Sequence, residues 1–128
     1  MLEIDNPQLV LPDQPMPDLA PGILRQRLVV EGLVETSIGE EAISAYLRAL
    51  SDVCDMQLLT EPVTHRSPRY GWAGWVHWEA SGAHFYAWDD PVCFFSVDLY
   101  TCQAFDAAQV VDFTAAFFGT TRVIGKPF

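Results

Sequence analysis

Hydrophobic side chains follow two rhythms along this chain. From Arg27 to Val34 (RLVVEGLV) β-branched and aliphatic residues crowd together, which predicts a strand. Through AISAYLRALSDVC the rhythm changes. Ile43, Tyr46, Leu47, Leu50, Val53 and Cys54 recur at helical intervals and predict one core-facing stripe. Ser37 with Glu40 three residues on has the capping-box pattern and predicts where that helix begins. Met56 to Leu59 reads as a short apolar strand, and Thr60 to Arg69 (TEPVTHRSPR) as a polar, proline-bearing loop. Gly71 to Glu79, Ala83 to Trp88 and Cys93 to Tyr100 are three strand-like runs, parted by short breaks at Ala80 to Gly82 and Asp89 to Pro91. That is the signal of an antiparallel meander. Asp106 is a good N-cap for a second helix with Val110, Phe113, Thr114 and Phe117 on one face; Gly119 ends it, and Thr121 to Ile124 offers a last strand. The order βαββββαβ predicts an α+β fold, a two-layer α/β sandwich with two helices on one face of a largely antiparallel sheet.

Residues 1 to 22 break the pattern, because they hold five of the nine prolines (Pro7, Pro12, Pro15, Pro17 and Pro21). Proline fixes φ and removes a hydrogen-bond donor, so this stretch reads as an extended arm ahead of a single domain at 23 to 128. Leu9 to Leu11 is a candidate edge strand, or a cover for a partner subunit. Half of the residues are hydrophobic, enough for a real core at this length. Seventeen acidic side chains against seven basic ones repel phosphate backbones and anionic lipid, so neither nucleic acid nor membrane is an expected partner. The acidity suits a cationic ligand such as a sulfonium or a polyamine, and equally suits plain solubility. Cys54, Cys93 and Cys102 are odd in number, lack CxxC spacing and follow no apolar leader, which predicts a reducing, cytoplasmic setting.

The chemistry concentrates between Gly71 and Phe118. The run FFSVDLYTCQAFD, an apolar strand ending in V-D-L-Y-T-C before a Phe-Asp that opens a helix, resembles the central stretch of the prokaryotic S-adenosylmethionine decarboxylases. Gly71-Trp72-Ala73-Gly74, then Ser81, then Trp88 are similar to that family's G-x-S-G, its E-S-H processing site and its H-T-W-P-E. The resemblance implies a proenzyme that cuts itself before a serine and converts that serine to a pyruvoyl group, which serves as electron sink for decarboxylation. No metal is expected. Carried over by position, Ser81 is the pyruvoyl precursor and Cys102 the thiol that reprotonates the substrate carbon. Asp90 falls where the family holds ribose hydroxyls, and Trp88 and Glu79 complete the candidate ligand-binding set. The substrate implied is S-adenosylmethionine or a related cationic amino acid, in polyamine supply, and the partner implied is a second copy or an active homologue.

Four positions depart from the family pattern: Ala73 for the G-x-S-G serine, Ala80 and Gly82 on either side of Ser81, and Tyr86 for a histidine. Each lost general acid or base costs on the order of 10² to 10⁴ in rate. Read by itself, Ser81 with Gly82 is an ordinary hairpin tip, and Cys102 a small buried hydrophobe. Strand alternation puts His77 with Glu79, and His84 with Tyr86, on shared faces that can converge. Such a cluster can bind zinc, supply a stand-in acid through His84 or Tyr86, or be exposed polar decoration. Two further readings stay open: an uncut homologue that binds S-adenosylmethionine as a non-catalytic or regulatory subunit, and a different reaction on the same ligand.

Overall fold

A computed structural model describes residues 6–128. They form β1 (Gln26–Leu33), α1 (Glu40–Val53), β2 (Val63–Ser67), β3 (Gly71–Trp78), β4 (Ser81–Trp88), β5 (Phe94–Thr101), α2 (Ala107–Phe118) and β6 (Val123–Pro127). Every pairing is antiparallel, and the strands lie in the order β2-β3-β4-β5-β1-β6. Both helices pack on one face, α1 over β3 and β2, α2 over β6 and β1. The result is the expected two-layer α+β sandwich.

Strand alternation sorts the side chains. Leu28 and Val30, Val76 and Trp78, Ala83, Phe85 and Ala87, and Phe95, Val97 and Leu99 are buried under the helices. Fully burying one such large apolar side chain contributes roughly 1.5–3 kcal/mol. Against them α1 presents Ile43, Tyr46, Leu47 and Leu50, all buried, as its stripe requires. α1 lies close to the sheet at Gly74, where a Cβ would come 2.5 Å from Ile43 Cγ2. Two polar links cross this interior. The Tyr46 hydroxyl meets Thr114 Oγ1 at 2.7 Å and joins the helices, while the Trp78 indole N–H donates to Ser51 Oγ at 2.6 Å, and Ser51 donates to the Leu47 carbonyl.

The opposite face of the sheet carries Arg27, Val29, Trp75, His77, Gly82, His84, Tyr86, Trp88, Phe94, Ser96, Asp98 and Tyr100. Among the described residues no helix packs on it.

Several local expectations change. β2 lies inside the stretch read as a loop, because an edge strand pairs through its backbone on one side and its VTHRS sequence needs no apolar alternation. Met56 to Leu59 makes only a single bridge, Leu58 with Trp78; it is apolar because Met56 closes the end of the core. Ser37 is exposed and caps nothing: Ile38 buries ahead of α1, the N-cap falls on Gly39, and its carbonyl accepts from Ile43 N–H. Asp106 caps α2 through Gln109 N–H, and Gly119 ends it in the left-handed conformation, as its sequence predicts. β6 begins at Val123 instead of Thr121 and runs to Pro127. Residues 6–25 contain turns but no strand or helix, and Leu9 is exposed.

Candidate active site at the start of strand four

The β3–β4 turn is Glu79–Ala80, so Ser81 is the first residue of β4 instead of a hairpin tip, in register with Trp78 and Thr101. Its φ of 138° is a conformation L residues rarely adopt, and such positions cost on the order of 1–3 kcal/mol. Ser81 Oγ donates to Cys102 Sγ at 3.4 Å. The backbone N–H of the same Cys102 donates to the Ala80 carbonyl at 2.8 Å. One peptide unit thus has its carbonyl polarised and the following hydroxyl directed at a thiol. Cys102 is held there because buried Thr101 bonds the carbonyls of Gln26 and Gln103, and the Gln26 amide clasps both backbone groups of Phe105.

This peptide stands between two open depressions. One, of about 430 Å³, lies on the uncovered sheet face and is lined by Val76, His77, Ser81, Gly82, His84, Asp98 and Tyr100. The other, of about 750 Å³ at the strand ends, is lined by Asp55, Met56, Gln57, Glu79, Ala80, Cys102 and Gln103. Gly82 has no room for a side chain, since a Cβ there would sit 2.5 Å from the Val76 carbonyl oxygen. His84 stands opposite Asp98 on β5 and Trp75 on β3, and its Nδ1 lies 3.3 Å from the Tyr86 hydroxyl. His77 packs edge-on against Trp75, with ring centres 4.7 Å apart.

The residues singled out from sequence therefore divide. Ser81, Cys102 and Glu79 gather at one end, with Glu79 in the turn and turned to the second depression. His84 lines the first depression with Ser81; Tyr86 reaches it only through His84. Trp88 closes β4 at the far end, roughly 23 Å from Ser81 at about 3.3 Å per residue, and Asp90 lies beyond it in an exposed loop. His77, Glu79 and His84 do not converge, and among the described residues no three His, Cys, Asp or Glu side chains are grouped to hold a metal. Asp98 and Tyr100 are the lining residues that pattern reading passed over; alternation from His84 across the V-D-L-Y-T-C strand would have found them. Of the other thiols, Cys54 is pushed up to about 12 by burial and stays protonated, while Cys93 is half-buried.

The family model for S-adenosylmethionine decarboxylase matches residues 35–126, well over half of the chain. The chain belongs to the S-adenosylmethionine decarboxylase family. The match takes in both helices, strands β2 to β5 and both depressions of this decarboxylase-family protein. Among solved structures, the adenosylmethionine decarboxylase from Aquifex aeolicus VF5 superposes with a TM-score of 0.67 over 83% of this chain and 89% of that one, at 16% identity. That likeness establishes the decarboxylase fold. No individual curated protein sequence matches the chain. No described helix is long and apolar enough to cross a membrane.

Proposed function

We propose that the chain cuts itself between Ala80 and Ser81 and decarboxylates S-adenosylmethionine, or a related amino acid, with the group made from Ser81. The supporting observation is the Ala80–Ser81 peptide, strained at Ser81 and held on both sides by Cys102. Ser81 Oγ attacks the Ala80 carbonyl carbon, its proton passes to the departing amide nitrogen, and the C–N bond gives way to an ester. The Cys102 N–H, already on the Ala80 oxygen, stabilises the charge that develops there. His84, steadied through Nδ1 by Tyr86 and left with Nε2 to move a proton, takes the Cα proton of Ser81. The Cβ–O bond then breaks, Ala80 leaves as a carboxylate, and the enamine left at 81 tautomerises, takes up one water and releases ammonia. The resulting pyruvoyl group supplies an electron sink for the electrons CO₂ leaves behind. Cys102 is placed to return a proton to the substrate carbon. The free thiols suit a reducing cytoplasm.

A second copy belongs to this reading. Ser81 and the pair Trp88 and Asp90 occupy opposite ends of one strand, so a single ligand meets both only when two uncovered sheet faces pack together about a two-fold axis. Exposed Tyr86 and Tyr100, with half-buried Trp75, Trp88 and Phe94, give that face apolar area to bury.

The absence of room at Gly82, with Ala73 and Tyr86 at the family's helper positions, favours one other reading. There the chain stays whole and binds S-adenosylmethionine as a non-catalytic or regulatory subunit, or performs a different reaction on it. Intact mass separates the two. Processing gives pieces of 80 and 48 residues from wild type and none from Ser81→Ala; a full-length mass under every condition rejects it. A rise in melting temperature with S-adenosylmethionine in the uncut protein would identify the alternative.

A further inference from the structure

The depression in front of Ser81 continues into a second one, of about 380 Å³, lined by Arg27, Leu28, Val29, Asp98, Leu99, Tyr100 and Phe128. Asp98 and Tyr100 line both, so the two form one trough across β3, β4, β5 and β1. The trough holds opposite charges that do not meet. The arginine ion pairs among the described residues are Arg25 with Asp18 and Arg48 with Glu61, and neither Arg27 nor Asp98 makes one. The Arg27 guanidinium lies instead over the Tyr100 ring, 4.7 Å from its centre. Stacking on the ring leaves the edge of the guanidinium free, and that edge suits a carboxylate bidentately. Lys126, 5.3 Å from the Phe128 ring, adds a second cation at the same end.

We propose that the trough binds an amino acid with a second carboxylate distal to its amine, the amine held near Ser81 by Asp98 and the distal carboxylate held by Arg27. This rests on the reading that Ser81 marks the reacting end. Strands lie about 4.8 Å apart, so the backbones at Ser81 and Arg27, two strands removed, are about 10 Å apart. A carboxylate one bond from the reacting amine carbon falls short of that span, whereas a side-chain carboxylate several bonds on can cover it. The division is also chemically sound. Binding a non-reacting carboxylate puts remote binding energy to use, while clamping the carboxylate to be expelled would stabilise the ground state. A sulfonium at the distal position would face Arg27 and be repelled.

The test is calorimetric titration of the full chain as isolated with L-glutamate, L-glutamine and S-adenosylmethionine. L-glutamate is expected to bind at least tenfold tighter than L-glutamine, which differs only in lacking the distal charge. Arg27→Gln, at an exposed position and checked by circular dichroism, brings L-glutamate down to the L-glutamine level; Arg27→Lys keeps part of the preference; Asp98→Asn weakens both amino acids. Equal affinities, a preference that survives Arg27→Gln, S-adenosylmethionine as the tightest ligand, or no binding by any of the three overturns the proposal. The heat of binding is measured whether or not the chain is cut. A whole chain that prefers L-glutamate removes only the processing reading, and a cut chain without the preference removes only this one.

Discussion

Single residues decide most of what this protein can do. At position 82 the backbone leaves no space, so Gly82→His, which restores the family residue, should lower stability by about 1–3 kcal/mol through overpacking against Val76; a melting curve unchanged from wild type would refute that. Ser51 is also singular, since it accepts from the buried Trp78 indole while donating to Leu47. Ser51→Ala leaves that indole N–H unpaired at a cost of about 1–3 kcal/mol, measurable by urea denaturation. Ser81 and Cys102 were readable from the sequence because they sit in motifs with fixed spacing. Asp98 and Arg27 were not, since their meeting depends on β1 pairing with β5 and on which face each then occupies. No local pattern in the sequence encodes that register.

Among the elements, those with their own punctuation were legible. Asp106 and Gly119 bracket α2 with a side-chain cap and a left-handed terminus, and Asp106→Ala should cost about 1 kcal/mol in chemical denaturation, with the loss traced to α2 by hydrogen exchange. The start of α1 was misjudged because Ser37 has the right spacing but the wrong exposure; burial of Ile38 determines how the chain enters the helix. β2 escaped notice for the reason edge strands usually do: half of its hydrogen bonds face solvent, and its side chains are mostly polar.

For the whole molecule, the two-layer sandwich followed from the order of the periodic segments, whereas the uncovered face and the long separation of Trp88 from Ser81 emerged only in three dimensions. Global stability should fall above about pH 9. Burial raises Cys54 from its ordinary 9 to about 12 and raises Tyr46 as well, so the unfolded chain loses these protons first, and the stabilisation present below pH 9 is lost as pH climbs toward 12. Cys54→Val should flatten the decline between pH 9 and 11 in denaturant titrations. The strand order carries a further consequence. A break before Ser81 assigns β1, β2 and β3 to one fragment and β4, β5 and β6 to the other, yet across the sheet these alternate as two, two, one and one. The fragments would be interlaced like the fingers of clasped hands, joined along β3–β4, β5–β1 and β1–β6. A cut molecule should therefore run as one species on a native gel and as two only in denaturant, and the halves, expressed apart, should need each other to fold.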